Sequence, residues 1–539
     1  MKKKRKISAW KLILPIQLIA SICLVYTVAK MNLLPNRLIV YLVIALIVAF
    51  AICGRLMIPF KKLGVGKHGR RSMASEVMMV VGKILSLVLS IVLLIGTIYA
   101  TNTSQSIKKV ASNTVTTTTY NLYVLKSDKY TKLSDLANDK IGYFNHGKSK
   151  SYDKAKAKLS DALTFQVANY TTTDALADAL YDNSVEGIFV SESYGTVIKK
   201  RHPSFDKDTK ILWTVTVTTS DNVATTNKDI TKQAFVLYVA GVDSRGSVTK
   251  TSRADVNMLI TVNPTTHQIL LTSIPRDSFV ALANTNYEYK DKLTHACLFG
   301  TDNSVKTVEH LMDIDVDFYA RVGFTMITKL VDAVGGVKIY SEKAFIPWTD
   351  HSVHVKKGWQ TMNGKAALAF ARERHAYEQG DRHRAANQQT VIKALINKMT
   401  SSTTYLTHYN QILSAIAGSF QTNLSEDQIS KLVKYQLCES PKWEMMSSVL
   451  NGNSEKVTGG YLMPNSSLYY MILDQKSVNK NRQYIINMEA NKKITVAQDA
   501  TLDADGTDGT DENPTATETT GSSSTSKTTT SSTTSTATN

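Results

Sequence analysis

Cysteine is scarce: the 539 residues contain four, and two of them, Cys23 and Cys53, fall inside long apolar runs. The remaining pair, Cys297 and Cys438, forms no CxxC motif and no regular spacing, which argues against a disulfide framework or a zinc site. Nothing in the sequence supports a bridge between the two. Also missing are a GxSxG nucleophile elbow, an HExxH zinc helix and a GxxxxGK[ST] phosphate loop. The near miss LGVGKHG at 63–69 lies in a short loop between two apolar runs. His351 and His354, in HSVH, are two of eleven scattered histidines and read as a solvated loop.

What is present begins with three apolar runs, residues 12–29, 38–60 and 77–100. Each reaches the roughly 18 to 25 residues that a helix needs to cross hydrocarbon. A cleaved signal peptide would account for the first run alone, but two more follow and no small-residue cleavage site is evident. Lys2, Lys3, Lys4, Arg5 and Lys6 precede the first run, and Lys61, Lys62, Lys67, Arg70 and Arg71 follow the second. The positive-inside bias therefore puts both basic segments in the cytoplasm and everything after about residue 101 outside, in a multi-pass plasma-membrane protein. The formal charge of +18 would point to nucleic acid in a soluble chain. Here much of it flanks the membrane, where orientation and anionic lipid explain it, and nucleic acid is disfavoured as a partner.

The expected organisation is a cytoplasmic tail with three transmembrane helices (1–100), a Ser/Thr/Asn-rich linker (101–118), a small accessory α/β domain (119–225), a larger α/β domain (233–490, core 233–400) and a Ser/Thr-rich disordered tail (496–539). TYNLYVL (119–125) and EGIFV (186–190) read as strands, and LSDLANDKIGYF and TTDALADALYDN as capped helices alternating with strands. In the larger unit FVLYVAGVD, VNMLITVN and ILLTSIPRD are near-continuous apolar runs, as in strands buried on both faces. FTMITKLVDAVGGVKI reads as a helix, a Gly-Gly stop and another strand. The fold class is membrane-anchored α/β, its main domain an α/β sandwich with a central mixed sheet flanked by helices.

Ionisable residues gather at the ends of these strands: Asp243 in GVDSRG, Arg253 and Asp255 in SRADVNM, Arg276 and Asp277 in IPRD. Two carboxylates meeting at one sheet edge, Asp243 and Asp255, suit a hard divalent cation; as turn and ion-pair residues they would need none. The segment FARERHAYEQGDRHRAANQQ (370–389) adds Arg372, Arg374, Arg382 and Arg384. If a helix begins near 382, Arg384 and Gln388 share the side of its apolar stripe, while Arg382 and Gln389 point away. Arg372 and Arg374, two apart, suit one face of an extended segment. Asp381 alone would balance one inward arginine, but not this many. Guanidinium forks beside a helix N-terminus suit a phosphate or pyrophosphate.

FVLYVAGVDSRG, TSRADVNMLITVNPTTHQILLTSIPRDSFV, DKLTHACLFG, VDFYARVGFTMITKLVDAVGGVKIY and ALAFARERHAYEQGDRHRAANQQTVIKAL, in this order over about 233–400, resemble the LytR-CpsA-Psr family, and with three spans and a preceding domain its capsule-associated CpsA branch. The resemblance implies an enzyme at the outer membrane face of Gram-positive bacteria that passes a polyprenyl-pyrophosphate-linked glycan to peptidoglycan and leaves polyprenyl phosphate. It further implies Asp243 and Asp255 as ligands of Mg²⁺, with Mn²⁺ as a substitute. Arg253, Arg276, Arg372, Arg374 and Arg384 would surround the pyrophosphate, with Asp381 and Gln388 beside them and Lys292 and His295 in the DKLTHA motif. Ala386 stands where related sequences often carry a further arginine. Partners implied are the lipid-linked polysaccharide, the peptidoglycan acceptor, the membrane, and capsule synthesis and export proteins. Asp381 or Asp277 would serve as general base, and the apolar stripes at 318–339 and 391–399 would line a lipid channel or simply form core. The alternative is a membrane-bound regulator, attenuator or sensor of capsule synthesis without turnover.

Overall fold

The computed structural model describes residues 10–58, 73–111, 114–144, 149–220, 223, 226–242, 247–400, 409–416 and 418–496. Asp243, the basic segments 2–6 and 59–72, LGVGKHG and the tail beyond 496 lie outside the described residues.

Helices α1 (Trp10–Met31), α2 (Asn36–Met57) and α3 (Met73–Ala111) are long and apolar enough to cross a membrane. They pack on one another: fully buried Ser86 donates its hydroxyl to Gln17 Oε1 at 2.5 Å, and a Cβ on Gly82 would meet Leu56 at 2.8 Å. Most of the expected linker at 101–118 is regular structure. Residues 101–111 continue α3, and a strand starts at Val115. The Ser/Thr-rich turns stay helical because Thr101 and Ser106 return their hydroxyls to carbonyls four residues back, at 2.9 and 3.0 Å, and buried Ile107 has apolar neighbours in Ile416, Ile429 and Val433. Tertiary packing overrides weak helix propensity here.

A five-stranded sheet follows, built from β1 (Val115–Leu125), β2 (Lys140–Phe144), β3 (Gln166–Tyr170), β4 (Gly187–Ser191) and β5 (Thr209–Ser220) in the order β3-β2-β4-β1-β5. Helices α4 (Lys150–Ala162) and α5 (Thr173–Tyr181) start on the caps Ser149 and Thr172, whose hydroxyls accept from Tyr152 N and Ala175 N. Short helices α6 (Gly195–Arg201) and α7 (Phe205–Asp208) close the unit. LSDL (133–136) forms a 3₁₀ turn.

The larger unit has strands β6 (Phe235–Val242), β7 (Ala254–Asn263), β8 (Gln268–Ser273), β9 (Phe279–Ala281), β10 (Lys290–Lys292), β11 (Phe318–Gly323), β12 (Val337–Ser341), β13 (Gly358–Met362), β14 (Phe420–Thr422), β15 (Glu444–Val449), β16 (Gly452–Val457) and β17 (Leu468–Leu473). Six of them make one mixed sheet, β14-β11-β6-β7-β8-β15, in which β11 runs parallel to β6 and β15 parallel to β8. Its helices are α8 (Leu293–Ala296), α9 (Thr301–Met312), α10 (Phe324–Ala333), α11 (Gly364–Arg372), α12 (Asp381–Thr400), α13 (Tyr409–Ile416), α14 (Glu426–Glu439) and α15 (Gln475–Glu489). Successive strand residues go to different cores. Tyr238 and Leu259 pack with Val308 of α9 and Ile485 of α15, whereas Val239 and Met258 pack with Leu330 of α10 and Leu395 of α12. Both faces are thus covered by helices. Gly335 and Gly336, at φ +77 and +88, end α10 in a conformation few other residues tolerate. The stripes at 318–339 and 391–399 fill one another's space as core.

Candidate functional site

The ends of β7 and β8, the N-terminal turn of α12 and the β16–β17 hairpin enclose a cleft lined by Asp255, Asn257, Ser273, Arg276, Asp381, Arg384, Gln388 and Tyr469. At its floor Arg276 donates from Nη1 to Asp255 Oδ1 at 2.8 Å and from Nε to Asp277 Oδ2 at 3.3 Å. Lys292 Nζ donates to the other Asp277 oxygen at 2.6 Å. Across the cleft Arg384 Nη2 pairs with Asp381 Oδ1 at 2.7 Å. Three carboxylates therefore face three cations, with Asp255, Arg276, Asp277 and Lys292 linked in one chain of ion pairs and Arg384 with Asp381 in a separate pair, and Arg253 and Arg374 pair with none of these carboxylates among the described residues.

Burial alone would raise the Asp277 carboxyl, but Arg276 and Lys292 hold it below the ordinary carboxylate range. Arg384, 11 % exposed, is held below the usual guanidinium value mainly by burial, and Arg276 and Arg374 push it the same way against Asp381 and Asp255. Arg276 and Arg374 are thus each near enough to Arg384 to repel it. Guanidinium stays charged at any working pH, so the repulsion is relieved by an anion arriving, not by losing a proton.

Several expected residues sit differently. Arg372 and Arg374 do not share an extended face: Arg372 ends α11 with its guanidinium 5.0 Å from the Phe324 ring centre, and exposed Arg374 lies in the turn beyond. Helix α11 runs on through Arg372 because Ala367, Ala369 and Phe370 are core, and the chain turns extended only at Glu373. Arg382, expected to point away, is exposed but lines the cleft and donates to the Gly452 carbonyl in the hairpin. Gln389, expected to point away, is buried and donates to Leu271 O, Ser273 Oγ and Ser448 O at 3.1, 2.9 and 2.7 Å. The start of α12 is wedged between the sheet and α11, so two of its sides are interior. Gln388 lines the cleft as phased. The Lys200 ammonium of α6 is depressed by burial first, then by Lys292 and by half-buried Arg253, both near enough to act on it. His295 is buried with Nδ1 3.0 Å from Asp291 Oδ1, off the hydrogen-bonding direction.

Two residues escaped sequence reasoning. Glu373, 1 % exposed, accepts the backbone N–H groups of Trp348, Arg374, His375 and Ala376 at 2.6, 2.9, 2.5 and 2.9 Å. Burial would raise its carboxyl, and these four donors hold it low instead. Asp291, also buried, accepts from Leu462 N and Tyr470 Oη beneath Lys292. A glutamate between two arginines reads as an ordinary charge pair; only its isolation from water reveals otherwise.

For a divalent cation the described donors around Asp255 are carboxylate, amide and hydroxyl oxygens, with no thiol or imidazole lining the cleft, which fits Mg²⁺. Among the described residues no cluster of three or more acidic, histidine or cysteine side chains forms a complete cage.

The LytR_cpsA_psr family profile matches residues 195–485, starting ahead of the 233 anticipated and taking in α6. A polyisoprenyl-teichoic acid–peptidoglycan teichoic acid transferase TagU of Bacillus cereus (strain AH820) is 32% identical over 254 residues, 46% of this chain and 78% of that protein. The protein of the same name from Bacillus subtilis (strain 168) is 30% identical over 261 residues, 48% of this chain and 78% of its own length. The crystal structure of B. subtilis TagT is 26% identical, covering 50% of this chain and 96% of that one at a TM-score of 0.40. With its profile matched across more than half of its length, the chain belongs to the LytR-CpsA-Psr family.

Proposed function

We propose that the chain is a Mg²⁺-dependent phosphotransferase that attaches a polyprenyl-pyrophosphate-linked glycopolymer, capsular polysaccharide or a related polymer, to peptidoglycan on the outer face of the plasma membrane. The observation that carries the reading is the convergence of Arg276 and Arg384 beside Asp255 in one cleft, with Arg374 close enough to Arg384 to act on its charge. The names of the relatives, teichoic acid transferases to peptidoglycan, support the reaction class. Three apolar helices at the N-terminus support the membrane site, and the lysine-rich flanks support the orientation.

Arg276, Arg374 and Arg384 would bind the pyrophosphate oxygens and match the charge that builds on them during transfer, which is most of what phosphoryl transfer asks of a protein. Asp255, with Asp243, would hold Mg²⁺, which when bound neutralises further phosphate charge. Of the two candidate bases, Asp277 has both oxygens engaged by Arg276 and Lys292. Asp381 keeps Oδ2 unengaged among the described residues and opens on the cleft, so it would take the proton. The acceptor oxygen forms a bond to the glycan-bearing phosphorus, the bond from that phosphorus to the lipid phosphate breaks, and polyprenyl phosphate leaves with the electron pair.

The test uses the full chain in detergent micelles with a short polyprenyl-pyrophosphate glycan, peptidoglycan and Mg²⁺. Expected are glycan transfer and released polyprenyl phosphate, each lowered by about 100-fold or more in Arg384→Ala and in Asp255→Ala. Wild-type protein that neither transfers glycan nor releases lipid phosphate overturns the reading.

A further inference from the structure

We propose that the exposed indole of Trp348 is a stacking platform for the first sugar ring of the pyrophosphate-linked glycan, held beside the arginine turn by Glu373. The inference rests on the pyrophosphate reading above and extends it to the part of the ligand beyond the phosphates.

Trp348 is 66 % exposed, although its loop is not loose. Phe345 pairs its backbone with Val355 in both directions and stacks its ring on Phe370, 6.1 Å between centres. The backbone N–H of Trp348 then donates to Glu373 Oε2, and the other Glu373 oxygen fixes the turn that carries Arg374 and His375. One carboxylate therefore sets the spacing between the indole and the arginine. The side chains continue the connection: Arg374 Nε donates to His375 Nε2 at 3.2 Å, and the His375 ring centre lies 5.1 Å from that of Trp348. A sugar joined through its anomeric oxygen to a phosphate at Arg374 has its ring within one residue's reach of this indole. The electron-rich face of an indole attracts the C–H groups that line one side of a pyranose, and His375 and Arg374 supply polar partners for its hydroxyls.

Ile346 is exposed as well, so a bilayer surface is the rival occupant. The polar flank of His351, His375 and Arg374 favours the sugar.

The experiment is a calorimetric titration of the full chain, in micelles and in phosphatidylglycerol vesicles, with farnesyl pyrophosphate and with farnesyl pyrophosphate bearing one glucopyranose. Trp348→Ala is expected to weaken the sugar-bearing ligand about tenfold and leave the bare pyrophosphate unchanged, with Trp348→Phe restoring most of the loss. Equal losses for both ligands, or no loss, overturn the platform, and a loss confined to vesicles assigns Trp348 to the bilayer instead. If wild-type protein binds neither ligand, the pyrophosphate reading itself has failed and the platform falls with it. If wild type binds both and Trp348→Ala changes nothing, only the platform has failed. Because the indole is mostly in water, its removal leaves no cavity to unfold the loop.

Discussion

A buried carboxylate that accepts four backbone N–H bonds, as Glu373 does, orders main chain from two places distant in sequence, Trp348 and the 374–376 turn. Glu373→Gln keeps the shape but presents an amide N–H₂ to some of those donors. It is expected to lower stability by about 2–4 kcal/mol at neutral pH, read from thermal unfolding in micelles. The sign with pH follows from a folded carboxyl held below its ordinary value. Its contribution is present above the unfolded value of about 4.3 and is lost as pH falls through the lower folded one, so the gap between wild type and variant closes in acid. A gap that stays constant to pH 3 would show that the charge on Glu373 is not what orders the turn. At this scale the sequence was legible where one helical period governs, as at Arg384 and Gln388. It was illegible where the partner is distant main chain, as for Glu373, or where a helix is buried on two sides, as for Gln389.

The first turns of α12 bury His383, whose ring lies stacked on Tyr377 with centres 3.3 Å apart. Burial, seconded by Lys343, pulls His383 from its ordinary value of 6.5 down to about 4. Between those values the unfolded chain binds the proton that the folded chain refuses, so stability falls as pH drops from about 6.5 toward about 4. His383→Gln should flatten that part of the stability curve relative to wild type, by something on the order of 1–3 kcal/mol across the interval. Parallel curves would mean that His383 does not titrate there. Elements with a clean period were readable in advance: β6, β7 and β8 from apolar runs, and α10 from its stripe and the Gly-Gly stop. The continuation of α3 through Ala111 was not, because nothing local in a Ser/Thr-rich stretch announces that Ile107 will find Ile429 and Val433.

Across the whole molecule the five-stranded unit and the larger one share a core: Phe144, Leu176 and Tyr194 pack with Leu298, Leu462 and Met463. Main chain joins them too, with Thr117 N donating to Thr249 O at 2.7 Å and Thr251 N to Thr117 O at 2.9 Å, two residues ahead of Arg253. Leu462→Ala should therefore cost about 2–4 kcal/mol and speed hydrogen exchange in the strands of both sheets. Faster exchange in one sheet alone would show that the two open independently. The unbroken α3 has a further consequence. With no swivel between its apolar stretch and the residues that grip β14 and α14, the helix acts as a ruler and a gear at once. One inserted residue near 103 would turn everything above it by about 100°, whereas seven would restore the facing and lift the cleft by about 10 Å. Comparing those two insertions would separate height above the bilayer from azimuth around it, two quantities that a flexible stalk would leave undefined.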